Sequence, residues 1–255
     1  MKVLAIESSC DDTSIAVIND HKNIDFLETI NHRKFHQKHG GVIPEMAARQ
    51  HLDILDLFKS KIHKINFSSI NAIASTYGPG LIGGLIVGSS FAKGLAISQN
   101  KKLVPINHLQ AHLLSPRLTN DIKFPYLCLL VSGGNTALVV VKNPSKFITL
   151  GSTIDDSAGE CFDKVAKALD LGYPGGPAIE RLAINGDPSS FLLPKPLTKV
   201  KNCDFSFSGL KTAAIDIIKK NKIDKKFLND FTASFQFTVG EIFKKKIFNA
   251  LDELK

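Results

Sequence analysis

His108 and His112 stand four residues apart in Asn107-His108-Leu109-Gln110-Ala111-His112. On a helix that spacing puts both imidazoles on one face, where they suit one metal ion. Histidine pairs at this spacing more often serve packing or lie on the surface, so the motif draws its weight from its neighbours. The His-Glu-x-x-His peptidase pattern fails at Leu109, which stands where the general base belongs. Two further segments suit phosphate or a flat ligand. Val131-Ser132-Gly133-Gly134-Asn135-Thr136 offers close backbone approach, and a plain structural hairpin is its other reading. Tyr173-Pro174-Gly175-Gly176-Pro177 is a rigid turn against a ligand, or a simple joint between helices. Asp163, on a helix beside Lys164, accepts ribose hydroxyls or is a solvated carboxylate. Neither a Walker A loop nor a strand-borne GxGxxG is present, which disfavours P-loop and Rossmann chemistry.

These residues need elements to hold them. Residues 2–6 and 14–18 read as a hairpin around the polar turn Glu7-Ser8-Ser9-Cys10-Asp11-Asp12-Thr13. A helix over 44–62 opens at Pro44. A strand over 70–76 is broken by Tyr77-Gly78-Pro79-Gly80, and a helix follows over about 81–98. A strand at 104–106 leads to Asn107, which caps the histidine helix. The opening pattern then returns: Leu127–Val131, a Ser/Gly/Thr turn, Ala137–Val141. This reads as an internal duplication into two lobes, residues 1–122 and 123–255, whose hairpin turns form a phosphate-binding cleft. Helices follow at 157–167, from Pro177, after a turn at 205, and over 227–254. Gly80, Gly84, Gly88, Ala92 and Ala96 recur at steps of four. That stripe predicts a close helix contact with a partner protein, or close packing on the chain's own sheet.

Composition sets the outer bounds. The 255 residues are 44% apolar and 22% charged, a soluble globular balance that excludes disorder and collagen-like repeats. The formal charge is +8, and residues 195–255 carry thirteen Lys against seven acids. A basic face suits nucleic acid, although 28 Lys against four Arg also reads as codon bias. Cys10, Cys128, Cys161 and Cys203 form no CxxC pair, which points to a reducing, cytosolic compartment and no zinc ribbon. No signal-like leader and no convincing membrane span is visible.

Ile6–Thr13, Gly40–His51, Tyr77–Leu81, His108-x-x-x-His112, Val131–Gly134, Phe162–Lys164, Tyr173–Pro177 and Phe205–Lys211 together resemble the TsaD family, nearly end to end. The resemblance implies a two-lobed α/β fold of the actin-like ATPase (ASKHA, duplicated ribonuclease H-like) class. It implies transfer of a threonylcarbamoyl group from threonylcarbamoyl-AMP to N6 of adenosine 37 in tRNAs reading codons that begin with A. It places one divalent metal, iron or zinc, on His108 and His112. It places the threonylcarbamoyl-AMP or ATP ligand on Leu130, Val131, Ser132, Gly133, Gly134, Asp163, Gly176 and Glu180. Asp11 and Asp12 become the catalytic carboxylates. A TsaB-like protein becomes the heterodimer partner through first-lobe helices, with a TsaE-like ATPase and tRNA as further partners, and no membrane.

Asn135 stands where the family often has His, and Gln110-Ala111 where Glu-Gly is commoner. A later nucleotide-contacting segment and a metal-completing Asp lie outside these 255 residues, so an incomplete second lobe, and a chain inactive alone, are expected. The runner-up functions are a non-catalytic TsaB-like protein, which lacks the histidines, and a sugar or acetate kinase of the same superfamily, which leaves the histidine pair unexplained.

Overall fold

The computed structural model describes residues 1–32, 36, 41–62 and 65–254; Gly40, at the head of the second family motif, lies outside them. The chain divides into two compact units, Met1–Asp121 and Ile122–Lys255.

The first unit opens as an antiparallel meander of β1 (Lys2–Glu7), β2 (Asp12–Asn19) and β3 (Ile24–Asn31). β4 (Ala72–Gly78) and β5 (Lys102–Asn107) join β1 in parallel, giving the order β3-β2-β1-β4-β5. Alternation places Leu4, Ile6, Ile15 and Val17 on one buried face. Helix α1 (Pro44–Ile62) lays Leu55, Phe58 and Ile62 into the same core, and α2 (Ile82–Ser98) adds Ala92 and Ala96. Truncating Phe58, fully buried, costs about 3–5 kcal/mol. Pro105 sits in β5 at the sheet edge, where a missing ladder donor is tolerated. α3 (His108–Leu114) follows β5 directly, with Asn107 Oδ1 accepting from Gln110 N at 3.1 Å, and the short α4 spans Pro116–Thr119.

The second unit opens with the same device: β6 (Tyr126–Val131), β7 (Thr136–Asn143) and β8 (Lys146–Ser152) form an antiparallel meander. Four helices follow: α5 (Ala158–Ala168), α6 (Gly175–Ala183), α7 (Ser208–Lys220) and α8 (Lys225–Glu253). Phe205, Phe207, Phe231 and Phe235 fill their core.

Two strands escape the sequence reading. β3 carries Asp25, Glu28 and Asn31 and lies at a sheet edge, where polar residues blunt outside pairing. β8 is likewise an edge strand, broken from its neighbour's register near Val139.

The small-residue stripe requires a correction. It faces the chain's own β1–β2 turn and not a partner. A Cβ on Gly84 would fall 2.3 Å from Ser8 O, one on Gly88 2.0 Å from Ser8 Oγ, and one on Gly80 2.6 Å from Ser9 O. The glycines let α2 lie directly on that turn, and Ser8 Oγ donates to Gly84 O at 2.9 Å. The opposite faces carry the exposed apolar side chains: Leu52 and Leu57 on α1, Ile82, Ile86 and Ile97 on α2.

Candidate functional site

In the first unit, α3 places the two imidazoles together. His108 Nε2 and His112 Nε2 lie 3.2 Å apart, with ring centroids at 4.5 Å. Two nitrogens held about 2.0–2.1 Å from one tetrahedral ion lie about 3.3–3.4 Å apart, so this pair fits a shared ion with little movement. The far side of His108 is anchored. Its Nδ1 lies 3.0 Å from Ser9 Oγ and 3.4 Å from Glu7 Oε1, which also accepts from Ser9 N at 2.9 Å. Such an anchor on one nitrogen turns the other outward, as metal-ligating histidines require. Burial alone would raise the Glu7 carboxyl; hydrogen bonds with His108 and Ser9 outweigh it and leave Glu7 below its ordinary value. Burial, reinforced by the neighbouring His108, lowers His112, which favours the neutral, ligating form. Among the described residues no three His, Cys, Asp or Glu side chains are arranged around one ion position, so the pair supplies two donors.

Glu7 and Ser9 are absent from the sequence-level site. The visible signal is their place in the turn that begins where β1 ends; their pairing with a residue about a hundred positions away is not. Asp11 and Asp12, half-buried, occupy the end of this turn and the first residue of β2.

In the second unit, the turn between β6 and β7 closes through Ser132 N to Asn135 O at 2.8 Å and Asn135 N to Ser132 Oγ at 3.0 Å. Ser157, the N-cap of α5, donates to Gly133 O at 2.6 Å and accepts from Glu160 N at 3.1 Å. Ala158 N donates to Thr136 Oγ1 at 2.9 Å. The start of α5 is therefore fastened to the turn, and a Cβ on Gly159 would strike Ser132 O at 2.4 Å. The signal for this contact stands in the sequence as a capping box, Ser157-x-x-Glu160. Gly133, Gly134 and Gly176, by contrast, face open space: nothing lies within 4 Å of an added Cβ. Leu130 is buried in β6, Val131 and both turn glycines are exposed, and Glu180 is exposed on α6.

Asp163 holds more than a ligand position: its Oδ1 accepts from Gly175 N at 2.7 Å, fixing the start of α6. Nearby lysines are engaged as well. Lys164 pairs with Glu160 at 2.6 Å and with Asp156 at 3.3 Å, and Lys211 pairs with Asp156. Burial would raise Asp156, and the two ammonium groups pull it below its ordinary value. Asp155 accepts from Phe207 N at 2.8 Å and from Ser208 N at 3.3 Å. The Phe205–Lys211 motif thus fastens the start of α7 to the segment leading into α5.

The chain matches the family described as TsaD, tRNA N6-adenosine threonylcarbamoyltransferase, over residues 26–255. Curated proteins carrying that name resemble it closely. The one from Wolbachia pipientis wMel is 46% identical over 252 residues, covering 98% of this chain and 75% of the relative. Those from Ehrlichia canis (strain Jake) and Rickettsia rickettsii (strain Sheila Smith) are each 49% identical, covering 98% of this chain and 72% and 74% of theirs. Among solved structures, an activator of 2-hydroxyisocaproyl-CoA dehydratase from Clostridium difficile with bound ADPNP superposes with a TM-score of 0.51 at 14% identity, over 98% of this chain and 75% of its own. Component A of the Acidaminococcus fermentans (R)-2-hydroxyglutaryl-CoA dehydratase gives the same TM-score at 13% identity, over 94% and 77%.

Proposed function

The chain belongs to the tRNA N6-adenosine threonylcarbamoyltransferase family, and from that premise we propose how its residues divide the reaction. It is an acyltransferase of t6A biosynthesis with an actin-like α/β fold, and tRNA is its substrate. The transfer forms a bond between N6 of adenosine 37 and the threonylcarbamoyl carbonyl carbon, and breaks that carbon's bond to the AMP phosphate oxygen.

The second unit, residues 123–255, binds the adenylate. The turn at Leu130, Val131, Ser132, Gly133 and Gly134 takes the phosphate, with the fastened start of α5 adding its positive end. Gly176 lets the purine approach α6, Asp163 receives ribose hydroxyls with the acceptor capacity left beyond Gly175 N, and Glu180 is a further contact.

The first unit, residues 1–122, serves the reacting acyl group. His108 and His112 hold one divalent ion, iron or zinc, which supplies Lewis acidity toward a carbonyl or phosphate oxygen. Ser9 and Glu7 keep the His108 Nε2 lone pair pointed outward. Asp11 or Asp12 receives the proton that N6 loses on attack. A TsaB-like protein covers the exposed apolar faces of α1 and α2, a TsaE-like ATPase joins them, and the complex works in the cytoplasm. Among the described residues no helix is long and apolar enough to cross a membrane.

The observation that carries this reading is the 3.2 Å histidine pair anchored from behind, on a chain nearly half identical to named transferases. The test is formation of t6A from threonylcarbamoyl-AMP and unmodified tRNA, with a TsaB-like partner added. Wild-type chain should yield t6A by mass spectrometry of digested tRNA, and His108→Ala should yield none and retain less metal. Equal metal in both proteins defeats the assignment of the pair.

A further inference from the structure

Three consecutive carbonyls in the first turn are each held by a different element. Ser9 O accepts from Leu81 N at 2.7 Å, Asp11 O accepts from His32 N at 2.9 Å, and Cys10 O lies 3.1 Å from His51 Nε2. His51 Nδ1 lies 2.8 Å from Thr13 Oγ1, and the same oxygen lies 3.0 Å from His32 Nε2. Thr13, His32 and His51 are all buried, and none of them enters the chemistry described above.

The direction of these bonds follows from one fixed end. A carbonyl only accepts, so His51 carries a hydrogen on Nε2. Burial pushes both rings down, His32 to about 4, so both are neutral near pH 7. A neutral His51 then has a bare Nδ1, which accepts the Thr13 hydroxyl proton. The Thr13 oxygen in turn accepts from His32 Nε2–H. His32 Nδ1 remains bare, buried and without a hydrogen-bond partner among the described residues. Reversing the chain would put a hydrogen on that nitrogen, a buried donor with nothing to receive it. Gly84 completes the arrangement, because a Cβ there would lie 2.9 Å from His51 Nε2.

We propose that Thr13, His32 and His51 form a one-directional relay that holds the Ser8–Asp12 turn in a single conformation, with Thr13 and His51 acting as positioning residues for the Asp11 and Asp12 carboxylates. The catalytic consequence rests on the role given to those carboxylates above; the holding of the turn does not. Fixing a reacting group in place is worth large rate factors.

The test uses the full chain with its TsaB-like partner. Nitrogen-15 spectra of the wild type should show both rings protonated on Nε2 and bare on Nδ1. Thr13→Val keeps the side-chain shape and removes the hydroxyl; Thr13→Ser keeps the hydroxyl. The valine variant should exchange the amides of residues 9–12 at least tenfold faster and lose at least tenfold in kcat, with KM for tRNA unchanged. The serine variant should restore both. A wild-type His51 protonated on Nδ1, or a folded valine variant with unchanged exchange, overturns the relay. If the valine variant does not fold, the wild-type tautomers decide alone. Faster exchange with unchanged kcat supports the relay and overturns the role of Asp11 and Asp12.

Discussion

The two hairpin turns begin from the same plan and use glycine in opposite ways. In the first, the turn itself contains no glycine, and the glycines stand on the helix that covers it: Gly80, Gly84 and Gly88 leave room for Ser8 and Ser9. In the second, the glycines are in the turn, at 133 and 134, and nothing fills the space in front of them. The covering helix there touches the turn at one point, Gly159 against Ser132 O. The first turn is built to be immobile under its own protein. The second is built to leave room for something the protein does not supply. Glycine in a sequence therefore marks close approach, and only the surrounding structure tells whether chain or ligand approaches.

The contrast is sharpest under substitution. Gly84→Val should disrupt the first unit, because the new side chain meets Ser8 backbone and the His51 ring at once. A loss of about 3 kcal/mol or more is expected, read as a collapsed denaturation midpoint. An intact unit that merely fails to bind a partner would return the stripe to the surface.

A second break is by pH. Burial, with the charges of His51 and His36, holds His32 near 4 against an ordinary 6.5, and Asp11 opposes this weakly. Between those values the unfolded chain binds a proton that the folded one refuses, so stability falls as pH drops from about 6.5 to about 4. The contribution is about 3 kcal/mol at most. His32→Gln should flatten that slope in urea titrations at a series of pH values. An unchanged slope would mean that the ring titrates normally in the folded state.

A smaller effect belongs to the second turn. Ser157→Ala removes the α5 cap and the bond to Gly133 O, at a cost of about 1 kcal/mol. Thermal unfolding should show a modest shift, and adenylate affinity should weaken with it. Full affinity in the alanine variant would show that the turn keeps its shape without α5.

Much of this was readable from residue order alone. Pro44 opens α1, Asn107 caps the histidine helix, and the histidine spacing yields the paired rings, because each depends on neighbours within one turn of helix. The repeated hairpin was readable because alternation is local. What was not readable depends on partners far apart in the chain. Thr13 meets residues 19 and 38 positions away, and Glu7 meets His108 across the unit. The glycine spacing predicted a close contact, but a period of four does not say which body lies opposite. Asp163 presented a free carboxylate in sequence, and the structure commits one of its oxygens to Gly175.

The central claim is that the second turn is kept open for an adenylate. Calorimetric titration of the full chain with a non-hydrolysable threonylcarbamoyl-adenylate analogue, beside Gly133→Val, tests it most directly. The expected result is binding by the wild type, loss of affinity of at least a hundredfold in the variant, and denaturation midpoints that agree within about 0.5 kcal/mol. Equal affinity in two equally stable proteins would contradict it and place the adenylate elsewhere.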